Sequence, residues 1–101
     1  MALGGAKNHL IALQDCDFKM AARDIVASFA GCCGQRCMAA SVLILVDGGE
    51  EQGPSLDGLL AEVLDAASIL TAGQEGGQVG PLIDSIAKTR YMEFVKLTNE
   101  R

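Results

Sequence analysis

The stretch ASVLILV, residues 40–46, is an apolar run that contains only leucine and β-branched side chains after its first two residues. Such a run is typical of a parallel strand that is buried on both of its faces. HLIAL, residues 9–13, is a second apolar run of strand length. We therefore predict two strands, and we expect the second to be buried on both faces.

The segment between these strands has the features of a helix. Asp17 is a suitable N-cap, and apolar residues then recur at helical spacing from Lys19 to Ala30. Gly31 and Gly34 follow, at positions where glycine commonly ends a helix. A strand, a helix and a strand in this order predict a βαβ unit with parallel strands.

The second half of the chain predicts two further helices, each preceded by a glycine-rich loop. Ser55 ends the loop DGGEEQGPS, residues 47–55, and can cap the helix that follows. The loop TAGQEGGQVGP, residues 71–81, precedes a last helix that runs nearly to Arg101. The apolar positions that define the first of these helices are Leu56, Leu59, Leu60, Val63, Leu64 and Ala67. Those of the last helix are Ile83, Ile86, Ala87, Tyr91, Phe94 and Val95.

Length and composition indicate part of an α/β domain. Half of the 101 residues are hydrophobic, and two parallel strands need further strands and helices around them to form a stable sheet. We therefore expect some apolar faces to meet a surface outside these residues. The net charge is −5 and the basic residues are scattered, so the sequence predicts no nucleic-acid partner and no anionic membrane. Its apolar runs are also shorter than the roughly 18 residues of a membrane span.

Three of the four cysteines lie within FAGCCGQRCMAA, residues 29–40. A zinc site is not favoured, because the spacing does not give two Cys-x₂₋₄-Cys pairs and His9 is the single histidine. A Cys-x-x-Cys redox motif is absent. We read no secretory signal, which favours reduced thiols. Core packing is the prediction for Cys32 and Cys33, and Cys16 receives no role.

Cys37 differs from the other cysteines because it lies on a loop between a helix end and a strand. The neighbouring Arg36 favours the thiolate, which is the nucleophilic form, whereas the negative end of the preceding helix opposes it. Ligands of open α/β sheets usually bind at the carboxyl ends of strands, yet Cys37 is at an amino end. A site there would need residues of another domain to enclose it. Residue chemistry alone does not decide between a catalytic and a structural role for Cys37. On the same grounds Arg36 would be an exposed charge.

GGAKNH, residues 4–9, GQRCMA, residues 34–39, and VGPLI, residues 79–83, resemble motifs of the aldehyde dehydrogenase catalytic domain. The chain is most similar to the CoA-acylating methylmalonate-semialdehyde dehydrogenase branch. By this resemblance, residues 1–101 are the amino-terminal part of that α/β catalytic domain. The cofactor-binding domain and the rest of the catalytic domain would then lie outside these residues.

The resemblance implies that Cys37 is the catalytic nucleophile, attacks an aldehyde and becomes a thioacyl-enzyme. Its backbone N–H would be one oxyanion donor, and Arg36 would bind the substrate's carboxylate. Hydrolytic members have a glutamate just before the glycine pair, where this sequence has Ala2 and Leu3. Coenzyme A is therefore the implied acyl acceptor. The implied reaction converts methylmalonate or malonate semialdehyde to propionyl-CoA or acetyl-CoA.

The remaining implications concern the cofactor, the partners and the compartment. NAD is the implied oxidant, bound mainly by a domain outside these residues, so no cofactor-binding residue is assigned and the isolated chain is expected to be inactive. The parent enzyme would be a homo-oligomer in the cytoplasm or the mitochondrial matrix. His9, Asn8 and Lys7 are interpreted as structural or surface residues. The alternative hypothesis is a non-catalytic α/β interaction module.

Overall fold

A computed structural model of the chain describes residues 5–49, 51 and 53–100. Its elements follow the predicted order of strand, helix, strand, helix, loop and helix, so the α/β class is confirmed. They are β1 (Asn8–Leu13), α1 (Phe18–Ala30), a short 3₁₀ turn (Gly31–Gly34), β2 (Ala40–Val46), α2 (Asp57–Ser68) and α3 (Ser85–Asn99). Residues 2 and 3, which bear on the acyl acceptor, lie outside the described residues.

The two strands pair in parallel, as the βαβ prediction requires. Asn8 pairs with Ala40, but His9 pairs with Val42, so Ser41 is an extra residue at the start of β2. A bulge of this kind bends the strand locally and changes the direction of neighbouring side chains. It places an irregular backbone at the amino end of the sheet, beside Cys37.

The core lies where α1 and α2 meet one face of the sheet. Leu59, in the first turn of α2, is fully buried, and its relative exposure is 0%. The core residues around it are Ala12, Ala22, Ile25 and Leu56. The buried Gln14 closes the far end of the sheet, because its Oε1 accepts from the Gly48 N–H at 2.6 Å and its Nε2 donates to the Pro54 carbonyl at 3.3 Å. The carboxyl ends of the strands are therefore tied to the loop that precedes α2.

Helix α1 begins and ends as its sequence predicts, but the cysteines after it do not behave as predicted. The Asp17 carboxylate accepts from the Met20 N–H at 2.9 Å, and Gly31 follows the last helical residue. Cys32 and Cys33 then have φ values of 52° and 55°, a left-handed conformation that is uncommon outside glycine. In this turn Cys32 is exposed and Cys33 is only half-buried. The prediction of core packing is wrong for Cys32 and holds only in part for Cys33.

The face of the sheet opposite α1 and α2 is open. Ile11 pairs with Ile44, and Leu13 pairs with Val46. All four of these side chains are exposed, and Ile44 and Val46 have 39% and 44% of their surface accessible. The prediction that β2 is buried on both faces is therefore wrong within the described residues.

Helices α2 and α3 also leave apolar side chains exposed. Ser55 Oγ accepts from the Asp57 N–H at 3.2 Å at the start of α2, and Asp84 Oδ1 accepts from the Ala87 N–H at 2.7 Å at the start of α3. Leu64 of α2 is 70% exposed, and α3 contributes no buried residue.

None of the helices in the described ranges is long and apolar enough to cross a membrane.

Candidate active site at the amino end of the sheet

A groove of about 500 Å³ lies at the amino ends of the two parallel strands. Its walls come from the segment before β1 and from the turn before β2, which the sequence singled out separately as GGAKNH and GQRCMA. The lining residues are Gly5, Ala6, Asn8, Gly34, Gln35, Arg36, Cys37, Ala39 and Ser41. The fold thus brings both motifs to one site.

Cys37 is exposed on the turn that connects the 3₁₀ segment with β2. The turn is closed by a hydrogen bond of 3.1 Å from the Ala39 N–H to the Arg36 carbonyl. The backbone N–H of Cys37 donates to no residue in the described part of the chain. The thiol is therefore accessible, and its own N–H is available to an oxyanion formed beside it.

Arg36 lies between the end of α1 and the Cys37 turn. Its Nη2 donates to the Ala27 carbonyl at 2.7 Å, and a Cβ at position 31 would overlap the guanidinium, so a larger residue there would displace the Arg36 side chain. A cation at the carboxyl end of a helix offsets the partial negative charge of that end. Arg36 thus covers the carboxyl end of α1. Since a guanidinium has five N–H donors, others remain for a ligand in the groove.

Asn8 holds the Cys37 turn from the β1 side. Its Nδ2 donates to the Cys37 carbonyl at 2.7 Å and to the Ala39 carbonyl at 3.1 Å. Sequence reasoning gave Asn8 only a capping or turn role. Its position within GGAKNH was the signal that could have identified it, but a contact across 29 residues of sequence has no local pattern.

Gln35 holds the same turn from the side of the segment before α3. Its Oε1 accepts from the Ile83 N–H at 2.8 Å, and its Nε2 donates to the Pro81 carbonyl at 3.2 Å. The GQRCMA and VGPLI motifs are therefore joined through one side chain. Sequence reasoning assigned no role to Gln35.

The other candidates lie apart from this groove. Cys16, Cys32 and Cys33 do not line it, and Lys7 and His9 are exposed. Among the described residues, no three His, Cys, Asp or Glu side chains are grouped closely enough to share a metal ion. The chemistry that the groove offers comes from one thiol, one guanidinium, two carboxamides, the Ser41 hydroxyl and backbone groups.

Comparison with known proteins gives consistent matches. A model of the aldehyde dehydrogenase family matches residues 1–101. Malonate-semialdehyde dehydrogenase 1 of Geobacillus thermodenitrificans is 37% identical over 99 residues, which cover 95% of this chain and 19% of that protein. The malonate-semialdehyde dehydrogenases of Lacticaseibacillus casei and Pseudomonas aeruginosa are 36% and 33% identical, over 94% and 93% of this chain and 19% and 18% of theirs. The chain thus spans about a fifth of the length of these relatives. No solved structure matches it significantly.

Proposed function

The chain belongs to the aldehyde dehydrogenase family, and from this premise we propose that it supplies the nucleophilic cysteine of an NAD-dependent semialdehyde dehydrogenase. Residues 1–101 would be the amino-terminal part of the catalytic domain. The observation that carries the proposal is the exposed Cys37 thiol in the groove between the two motifs, beside a guanidinium. The names of the relatives favour malonate semialdehyde as a substrate, and methylmalonate semialdehyde is its close analogue.

Cys37 would act by covalent catalysis. Its thiolate attacks the aldehyde carbon, the carbonyl oxygen becomes an oxyanion, and the Cys37 N–H donates to that oxyanion. NAD, held by a part of the enzyme outside these residues, would supply the hydride acceptor that leaves an acyl group on Cys37. Loss of the substrate's carboxylate as CO₂, with uptake of a proton at the adjacent carbon, would give the shorter acyl chain. The thiol of coenzyme A then displaces Cys37 and releases the acyl-CoA.

The described residues do not fit a dinucleotide cofactor. A phosphate-binding glycine turn follows a strand and opens a helix, whereas GQEGGQVG, residues 73–80, follows α2. The loop of residues 71–81 that contains this stretch is also closed by a hydrogen bond of 2.8 Å from the Val79 N–H to the Thr71 carbonyl. Hydride acceptance is therefore assigned to no residue of this chain, and we expect these 101 residues alone not to catalyse oxidation of the semialdehyde.

Coenzyme A is the proposed acyl acceptor because the described lining of the groove contains no carboxylate that could activate water. We expect an acetyl group placed on Cys37 by p-nitrophenyl acetate to persist in buffer and to be removed when coenzyme A is added. Intact mass measured against time, with and without coenzyme A, tests this expectation. Equal rates of loss in both samples would indicate hydrolysis and would contradict the proposed acceptor.

Arg36 would bind the substrate's carboxylate, since it lines the groove together with Cys37 and a guanidinium pairs well with a carboxylate. We expect Cys37 to react faster with iodoacetate, relative to iodoacetamide, than Cys16 does. The preference should be about two- to fivefold, the range of an exposed ion pair, and should disappear in Arg36→Met. Peptide mass spectrometry measures both cysteines in one sample. Arg36→Lys is the matched control, because it keeps the charge and should keep part of the preference.

A second candidate function is favoured by the open face of the sheet. Ile11 and Ile44 form an exposed apolar pair there, which is suited to a protein surface. A non-catalytic interaction module would use this face and would not need the thiol. Partner binding that persists in Cys37→Ala, together with no acylation of the wild-type chain, would support this alternative.

A further inference from the structure

The Gln35 carboxamide uses both of its polar atoms to connect separate parts of the chain. Its Oε1 accepts from the Ile83 N–H at 2.8 Å, and its Nε2 donates at 3.2 Å to the Pro81 carbonyl and at 3.0 Å to the Cys32 carbonyl. A carboxamide has two N–H donors and one carbonyl acceptor. Both donors and the acceptor of Gln35 are therefore engaged.

This carboxamide is the link between the Cys37 turn and the segment before α3. In the part of the chain that the structure describes, the hydrogen bonds from Pro81–Ile83 to residues 5–70 are those of Gln35. Helix α3 itself contributes no buried residue, so apolar packing does little to fix this segment. Its attachment to the site therefore depends on a single side chain.

The same turn is held from two other directions. Arg36 donates to the Ala27 carbonyl at the end of α1, and Asn8 donates to the Cys37 carbonyl from β1. Gln35 is the third support, and it is adjacent to Arg36 in sequence. Removing it would allow the backbone at Arg36 to rotate, which would change the position of the guanidinium relative to the thiol.

From these contacts we propose that Gln35 is a positioning residue. It keeps the Arg36 guanidinium and the Cys37 thiol in a fixed relative position by attaching their turn to residues 81–83. The proposal rests on the proposed function, because it concerns the carboxylate that Arg36 would bind beside Cys37. It also gives the VGPLI motif a role, since that motif supplies the backbone groups that Gln35 binds. Gln35 would act through Arg36 and Cys37 and not on the substrate itself.

The test uses the 101-residue chain and the ratio of iodoacetate to iodoacetamide reactivity at Cys37, divided by the same ratio at Cys16. In Gln35→Met, which keeps the length of the side chain and loses its hydrogen bonds, we expect the carboxylate preference to fall below half of its wild-type value. Ile83→Pro removes the N–H that Gln35 accepts, from a site 48 residues away, and should lower the preference in the same way. A purely structural role would lower the melting temperature and leave this ratio unchanged.

Ser85→Pro is the matched control, because Ser85 is the first residue of α3 and proline is well tolerated there. It should leave the ratio at its wild-type value. A wild-type preference that persists in both Gln35→Met and Ile83→Pro would overturn the positioning role and leave the proposed function standing. A wild-type chain without any preference would instead overturn the carboxylate site, and the positioning role with it.

Discussion

Replacing Cys37 with alanine is expected to slow acylation of the chain by p-nitrophenyl acetate about tenfold or more, to the rate of the other three thiols. The ester transfers its acetyl group to a thiolate and releases p-nitrophenolate, so the reaction requires no cofactor. Cys37 should be the fastest thiol because it is exposed, lies beside Arg36 and has a backbone N–H that donates to no residue within the described ranges and could serve the oxyanion. The initial release of p-nitrophenolate per chain measures the rate.

Cys16→Ala is the control for this substitution, since Cys16 is half-buried and packs against the core. It should leave the initial release close to that of the wild-type chain. Equal effects of Cys37→Ala and Cys16→Ala would show that the groove at the amino end of the sheet does not activate its thiol. The nucleophile assignment would then fail.

Replacing Leu59 with alanine is expected to cost about 2–5 kcal/mol of unfolding free energy. Leu59 is fully buried where α1 and α2 meet the sheet, so the substitution removes apolar contacts and leaves a cavity. Small domains have an unfolding free energy of only about 5–15 kcal/mol in total, and the sheet that the structure describes has two strands. We therefore expect a large fall in the urea midpoint of the circular dichroism signal.

Leu64→Ala is the matched control for the core, because it makes the same chemical change in the same helix at a side chain that is 70% exposed. Its effect should stay within about 0.5 kcal/mol. If both substitutions shift the urea midpoint equally, Leu59 is not at the centre of the core. That result would contradict the packing of α2 on α1.

Most of the fold could be predicted from local patterns in the sequence. The strand runs, the Asp17 cap and the glycines after Ala30 depend on nearby residues, and β1, α1 and β2 were placed correctly. Burial was harder to predict, because an apolar residue such as Ile44 says nothing about which surface covers it. The left-handed turn at Cys32 and Cys33 was missed because cysteine does not favour that conformation.

The site could be predicted only in part. Cys37 and Arg36 were named as site residues through a resemblance, and the structure places both of them in one groove. Asn8 and Gln35 were missed as supports of that groove. The hydrogen bonds that connect them to other parts of the chain reach backbone groups 29 to 48 residues away, and contacts of this kind have no periodicity or spacing that a sequence reveals.

Mapping the acetyl group among the four cysteines of the wild-type chain tests the central claim most directly. The chain is exposed briefly to limiting p-nitrophenyl acetate, digested at low pH, and its peptides are quantified by mass spectrometry. We predict that most of the acetyl group is on Cys37 and little on Cys16, Cys32 or Cys33. An equal distribution, or a preference for the exposed Cys32, would contradict the assignment of Cys37 as the nucleophile.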